Sequence, residues 1–153
     1  MAAEAVELEI PARPEYVALA RLVVSALAAT DGALGDEQVD DLKIAVSEAC
    51  TNAIEAHAAV DAAEHIVVRC WTVDGSVWVA VDDRGPGFDP DALQPHPPVT
   101  DPARLHFERG LGIPLMRALA DEVAFRARGP GTTVELSMRP ERAPVPGPGQ
   151  GPV

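Results

Sequence analysis

A tight turn at Asp74-Gly75 constrains the fold of this chain more than any other feature. The segments that flank it, residues 66–71 (IVVRCW) and 77–81 (VWVAV), are rich in β-branched and aromatic side chains. An Asp-Gly pair tolerates the positive φ angles that a two-residue turn between antiparallel strands requires. The pattern predicts a central β-hairpin, which excludes a doubly wound parallel sheet, because neighbouring strands there are joined by crossovers.

The rest of the chain predicts further strands and helices around this hairpin. Residues 6–10 alternate and indicate a first strand, and apolar residues at helical spacing follow from Pro14 to about Ala29. A second helix is expected from Asp36 to about 57–60, a third over 110–122, and two final strands over 123–127 and 132–137. We therefore predict an α+β fold, a two-layer α/β sandwich whose mixed, mainly antiparallel sheet carries three helices on one face.

Length and composition predict one domain. The chain has 153 residues, and we expect residues 1–139 to form the domain and the Pro/Gly-rich residues 140–153 to be a disordered tail. Cys50 and Cys70 have apolar neighbours and no metal-like spacing, so both are expected to be small core residues.

Charge and hydropathy exclude several classes of partner. The formal net charge of -12 argues against direct contact with nucleic acid. The longest apolar run, residues 16–29, is interrupted by Arg21 and too short to cross a bilayer. The N-terminal residues are acidic and alternating, unlike a signal peptide, so we expect a cytoplasmic protein without membrane contact.

Glu48 and Asn52 form the first of three polar motifs. They are four residues apart on the second predicted helix, so their side chains project from one face. A carboxylate beside a transferring phosphate can act as general base toward a hydroxyl, and an amide oxygen can bind Mg²⁺. The alternative is an ordinary pair of helix residues with a local hydrogen bond.

The second motif, residues 83–87 (DRGPG), directly follows a predicted strand. Gly85 and Gly87 permit a tight turn in which the backbone can approach a flat ligand. Asp83 can accept a hydrogen bond from an exocyclic amine, the group that separates adenine from guanine. The alternative is a plain turn, for which the same residues are well suited.

The third motif, residues 110–113 (GLGI), opens the last predicted helix. The free N–H groups of a helix start form an anion site, and glycines admit a phosphate group closely. A simple hinge between loop and helix is the alternative. Between the last strands, Thr132 or Thr133 can offer a hydroxyl to a nucleotide, or the segment only turns the chain. The irregular, proline-rich stretch up to about Glu108 is long enough to indicate a lid over a ligand.

In this order the motifs resemble the ATP-binding domain shared by gyrase, histidine kinases and MutL. The segments 44–54 (IAVSEACTNAI), 83–90 (DRGPGFDP) and 110–113 resemble most closely the RsbW/SpoIIAB-type anti-sigma factor serine kinases, and the resemblance spans about residues 5–138. After Ile54 that family often has a histidine–aromatic pair, whereas this chain reads Glu55-Ala56-His57-Ala58.

The resemblance implies a Bergerat ATP-binding fold and a protein serine/threonine kinase with ATP and Mg²⁺ as cofactors. It implies a homodimer that binds a sigma factor and phosphorylates a STAS-domain anti-sigma factor antagonist. A chain this short has no room for the helix pair that bears the phosphorylated histidine of a histidine kinase. The alternative function is a non-catalytic, ATP/ADP-sensing module that sequesters a partner protein.

The resemblance also assigns roles to single residues. Glu48 would be the catalytic base, Asn52 would hold Mg²⁺, and Arg21 would contact a partner. The remaining nucleotide-binding positions would be Asp83, Gly85, Gly87, Gly110, Leu111, Gly112, Ile113, Thr132 and Thr133.

Overall fold

The structure, a computed structural model, describes residues 4–59, 65–84, 112–128 and 131–141. Within these ranges the chain forms five strands and three α-helices. In chain order they are β1 (Val6–Pro11), α1 (Val17–Asp31), α2 (Asp36–Ala59), β2 (His65–Val73), β3 (Ser76–Asp82), α3 (Gly112–Leu119), β4 (Glu122–Arg128) and β5 (Gly131–Met138).

The five strands form one sheet in the order β1-β2-β3-β5-β4. Each of the four described pairings is antiparallel, although a mixed sheet was predicted. The reason is that β4 and β5 form a hairpin whose second strand, β5, enters the sheet beside β3. The edge strand β4 then runs parallel to β3 without pairing with it. The predicted α+β two-layer architecture is confirmed.

The turn that defines the central hairpin has the predicted geometry. Asp74 has a φ of 51° and Gly75 a φ of 81°, as a tight turn between twisted strands requires. The carbonyl of Gly75 accepts a hydrogen bond of 2.9 Å from the N–H of Ala33, in the segment between α1 and α2. The hairpin turn is thereby attached to the helical layer.

The hydrophobic core lies between the sheet and the helices. In α1 the buried positions Ala20, Val24 and Ala28 recur every four residues, so one stripe of the helix faces the sheet. The predicted stripe of α2 is also buried, and the inward side chains of the strands complete the core. These residues are Leu42, Val46, Ala49, Ala53, Ile66, Val68, Val79, Val81, Val134 and Leu136.

Both cysteines are buried and free, as predicted. Burial raises the pKa of the Cys50 thiol to about 12 and also raises the pKa of Cys70. Both thiols are therefore neutral near pH 7 and act as small core side chains rather than as nucleophiles.

Two helix boundaries differ from the prediction. Pro14–Tyr16 forms a 3-10 turn, and the α-helix itself begins at Val17. The third helix ends at Leu119 rather than at Glu122, because Glu122 already pairs with Ser137 as the first residue of β4. The N–H of Asp121 donates to the carbonyl of Ser137 at 2.9 Å. Sheet pairing therefore replaces the last predicted helical turn.

The predicted lid and most of the predicted tail lie outside the described residues. At the C-terminal end of the described residues, Gln38 of α2 donates to the carbonyl of Arg139 (2.7 Å) and accepts from the N–H of Glu141 (3.3 Å). None of the helices in the described ranges is long and apolar enough to cross a membrane.

Candidate active site

Glu48 and Asn52 lie at the border of the helical layer. Both are on α2, beside the buried stripe of that helix, and both are partly buried. Because the stripe packs on the sheet, the helix cannot rotate to turn these two polar side chains elsewhere. Their backbone positions are therefore fixed by the core.

The start of α3 packs against these two side chains. A Cβ atom added to Gly112 would lie 2.8 Å from Oε2 of Glu48 and 3.4 Å from Oδ1 of Asn52. A side chain at this position would displace the end of the Glu48 side chain, so the glycine permits the present close approach. The N–H groups of a first helical turn have no partners inside the helix and carry the positive end of its dipole. A carboxylate, an amide and an anion-binding helix end therefore converge.

Asp83 lies just after the end of β3 and is held by β5. It follows Val79 and Val81 at a spacing of two residues, so it lies on the same face of the sheet as these core residues, the face that the helices cover. Asp83 is 5% exposed. Its N–H donates to the carbonyl of Thr132 at 2.9 Å, and the N–H of Thr132 donates to its Oδ1 at 3.3 Å. A Cβ atom on Gly131 would overlap the carbonyl oxygen of Asp83, so β5 and this residue are in direct backbone contact.

Thr133 lies on the opposite face of the sheet from Asp83. Its hydroxyl donates to Oδ1 of Asp82 at 2.6 Å. Arg69 donates to the same carboxylate from Nε (3.1 Å) and Nη2 (3.2 Å). This network was not predicted from the sequence, although the Asp82-Asp83 doublet signals it, since neighbouring strand residues point to opposite faces. Thr132, which is 4% exposed, shares the face of Asp83, whereas the hydroxyl of Thr133 is engaged by Asp82.

We expect Thr133→Val to lower the free energy of unfolding by about 1–3 kcal/mol, because it removes a hydrogen bond from a buried carboxylate. Thr72→Val is the matched control, since its hydroxyl donates to Asp31 at 2.7 Å on the exposed surface. That variant should lose less than about 1 kcal/mol. Urea denaturation of both variants measures the difference. A Thr133 variant that keeps its stability but loses nucleotide affinity would instead support the predicted nucleotide contact.

A buried histidine connects α2 to the end of β3. His57 is 1% exposed, and its Nε2 accepts a hydrogen bond of 2.9 Å from the backbone N–H of Arg84. No role was predicted for this residue from the sequence. Its signal in the sequence is weak, because histidine is intermediate between the typically buried and the typically exposed residue types.

The other predicted site residues are placed as follows. Ile113 is 5% exposed and belongs to the hydrophobic core. Arg21 is exposed on α1 and lines an open groove of about 530 Å³ between α1 and α2, together with Lys43 and Ser47. Four predicted residues lie outside the described ranges, namely Gly85, Gly87, Gly110 and Leu111.

Comparison with known proteins agrees with the resemblance drawn from the motifs. The family of histidine kinase-like ATPase domains matches residues 10–138. The serine-protein kinase RsbW of Bacillus subtilis is 39% identical over 139 residues, which cover 88% of this chain and 85% of that protein. RsbW of Bacillus velezensis is 41% identical over 137 residues, covering 86% of this chain and 83% of its own length.

A solved structure also shares the fold. The crystal structure of the RsbU and RsbW domains of a Mycobacterium tuberculosis protein superposes with a TM-score of 0.65 at 24% identity. The match covers 92% of this chain and 33% of that one. Because the family match and the RsbW relatives each cover most of the sequence, the chain belongs to the histidine kinase-like ATPase domain family, on its RsbW branch.

Proposed function

We propose that this protein is a cytoplasmic, ATP-dependent protein serine/threonine kinase that acts as an anti-sigma factor. The observation that carries the proposal is the convergence of Glu48, Asn52 and the glycine start of α3 in one place. Membership of an ATPase domain family implies use of a nucleotide, and the RsbW relatives are named serine-protein kinases.

Glu48 is the residue proposed to activate the acceptor hydroxyl. Its carboxylate would take the proton of a serine on the target protein as the serine oxygen bonds to the γ-phosphorus of ATP. The bond from that phosphorus to the β,γ-bridging oxygen breaks, and ADP leaves. Such transfers depend mainly on positioning and charge neutralisation, so few other catalytic groups are needed.

The phosphates would lie at the start of α3, where Gly112 leaves space and the first N–H groups are available. Asn52 would hold Mg²⁺ through its amide oxygen, a ligand type that this ion accepts, and the ion would neutralise phosphate charge. The acidity of the chain makes such a cation more necessary, since the formal net charge is -12. The segment that contains Gly110 and Leu111 would complete the phosphate site.

Adenine recognition is proposed for the end of β3. Asp83 would accept a hydrogen bond from the exocyclic amine, with Gly85 and Gly87 shaping the adjoining turn. This proposal is supported by the way β5 holds the carboxylate, since the N–H of Thr132 donates to its Oδ1 and fixes where the carboxylate lies at the end of the strand. Thr132 is better placed than Thr133 to reach the nucleotide, because it shares the face of Asp83.

The proposed partners are a sigma factor and a STAS-domain antagonist, the second of which would receive the phosphate. A homodimer is proposed as the working assembly. Arg21 is proposed as a partner contact because it is exposed beside an open groove, where Leu22 is 65% exposed and Ile44 45% exposed. An arginine next to apolar side chains is a frequent centre of protein–protein contacts.

The proposal predicts Mg²⁺-dependent transfer of radiolabel from γ-labelled ATP to a serine of a purified STAS-domain protein from the same cell.

Asp83→Asn should weaken ATP binding by at least about tenfold, because the amide changes the hydrogen-bond pattern offered to adenine. Asp74→Asn is the control, since an asparagine tolerates the φ of 51° at that exposed turn. No transfer by the unmutated protein to any STAS candidate would refute the kinase, and no Mg-ATP binding would refute nucleotide use.

A further inference from the structure

We propose that His57 is a positioning residue for adenine recognition, which fixes the peptide between Asp83 and Arg84 and so the direction of the Asp83 carboxylate. The inference rests on the proposed function, in which Asp83 reads the base. It assigns a role to a buried titratable side chain that the phosphoryl transfer itself does not use.

The position of His57 on α2 explains why it points to the sheet. It follows Asn52 by five residues, which turns its side chain by about 140° from the direction of Asn52 around the helix axis. Asn52 lies at the border of the layer, whereas His57 is 1% exposed. The histidine therefore lies behind the site and contacts the protein rather than a ligand.

The hydrogen bond from Arg84 indicates which tautomer of the neutral ring is present. Nε2 accepts the backbone N–H of Arg84 at 2.9 Å, so this nitrogen carries no proton. A neutral imidazole then has its proton on Nδ1. Nδ1 is buried and has no hydrogen-bond partner, the only such side-chain atom found in the described ranges.

This unpartnered nitrogen argues that the bond at Nε2 matters. A buried polar atom without a partner costs stability, and an apolar side chain of similar size would avoid that cost. Such a side chain would instead leave the N–H of Arg84 without its acceptor on α2. His57 thus accepts the hydrogen bond of the backbone N–H just beyond β3, while its own Nδ1 has no hydrogen-bond partner.

The consequence for Asp83 follows from its two neighbours. On one side β5 binds its N–H and one carboxylate oxygen through Thr132. On the other side the peptide that follows Asp83 is bound by His57. With both peptides held, the backbone of Asp83 has little freedom, and its carboxylate keeps one direction. The same helix carries Glu48 and Asn52. By linking this helix to the peptide after Asp83, His57 sets the distance between the Asp83 carboxylate and the side chains of Glu48 and Asn52.

The first test measures the tautomer of the unmutated protein. Nitrogen-15 NMR of the imidazole, recorded without nucleotide above pH 7, should show the proton of His57 on Nδ1. A proton on Nε2 would overturn the inference, because that nitrogen could not accept from Arg84. This measurement needs no variant, so it stands even where a substitution prevents folding.

The second test measures base preference. His57→Phe keeps a ring of similar size but removes the acceptor. We expect Mg-ADP to bind about tenfold more weakly and Mg-GDP to bind unchanged, so the ADP/GDP preference falls about tenfold. His57→Gln should recover a large part of the preference, since its amide oxygen can reach the place of Nε2. His65→Gln is the matched control, because His65 is exposed on β2, and it should change neither affinity.

A double-mutant cycle separates positioning from a general effect on stability. If His57 acts through Asp83, the doubly substituted His57→Phe, Asp83→Asn protein should bind Mg-ADP about as weakly as Asp83→Asn alone. Additive losses, or a His57→Phe protein that loses thermal stability but keeps its base preference, would overturn the inference. Failure of the unmutated protein to bind Mg-ADP would refute the proposed function, and this inference with it. Normal binding by the unmutated protein and by His57→Phe alike would refute only the inference.

Discussion

Glu48→Gln is expected to lower the rate of phosphoryl transfer by at least about 10²-fold, the usual contribution of a general base, while Mg-ATP binds within about twofold of the unmutated affinity. The amide has nearly the same shape as the carboxylate, so the close contact with Gly112 is kept. It cannot take a proton from the acceptor serine. Single-turnover transfer to the antagonist, measured beside a binding titration, separates the two effects.

Glu37→Gln is the control for this prediction. Glu37 is exposed in the first turn of the same helix, so it tests the loss of one negative charge from α2 without touching the site. Its transfer rate should remain unchanged. Transfer by Glu48→Gln at the normal rate would remove Glu48 from the chemistry and leave the nucleotide-sensing binder as the better description.

The strands and the central turn could be predicted from the sequence because the signals there are local. Alternation marks β1, and Asp74-Gly75 marks a turn whose φ angles few other residue pairs adopt. The pairing of β5 with β3 is different in kind. It depends on where the chain returns to the sheet after α3, and no periodicity within a strand encodes that position. The pairing of β4 with β5 is also long-range in origin, and it decides that the third helix stops at Leu119.

The candidate site likewise has one part that could be predicted from the sequence and another that could not. Glu48 and Asn52 share a helix, so their spacing alone predicted that they lie together. That Gly112 packs against them is a long-range contact, which only the order of the motifs along the chain indicates. His57 and the Asp82 network were missed, because both depend on which face of a strand or helix is covered. The two aspartates at the end of β3 have different neighbours although they are adjacent in the sequence.

The contact between Gly131 and Asp83 leads to the second large prediction. Gly131→Ala is expected to lower the free energy of unfolding by about 3 kcal/mol or more, since overpacking against backbone cannot be relieved by a side-chain rotation. The new Cβ would overlap the carbonyl oxygen of Asp83 and approach Cα of Arg84 to 2.7 Å. Urea denaturation of the purified variant measures the loss.

Gly35→Ala is the matched control, because a Cβ atom at that position meets nothing within 4 Å. It should be neutral within about 1 kcal/mol, or slightly stabilising through the lower entropy of the unfolded chain. If the Gly131 variant survives by moving β5 away from Asp83, the bonds that hold the carboxylate are lost. The loss in the free energy of nucleotide binding should then exceed the loss in the free energy of unfolding. Binding titrations well below the unfolding temperature measure the first quantity separately. Equal stability and equal affinity in the two variants would show that β5 does not hold Asp83 in place.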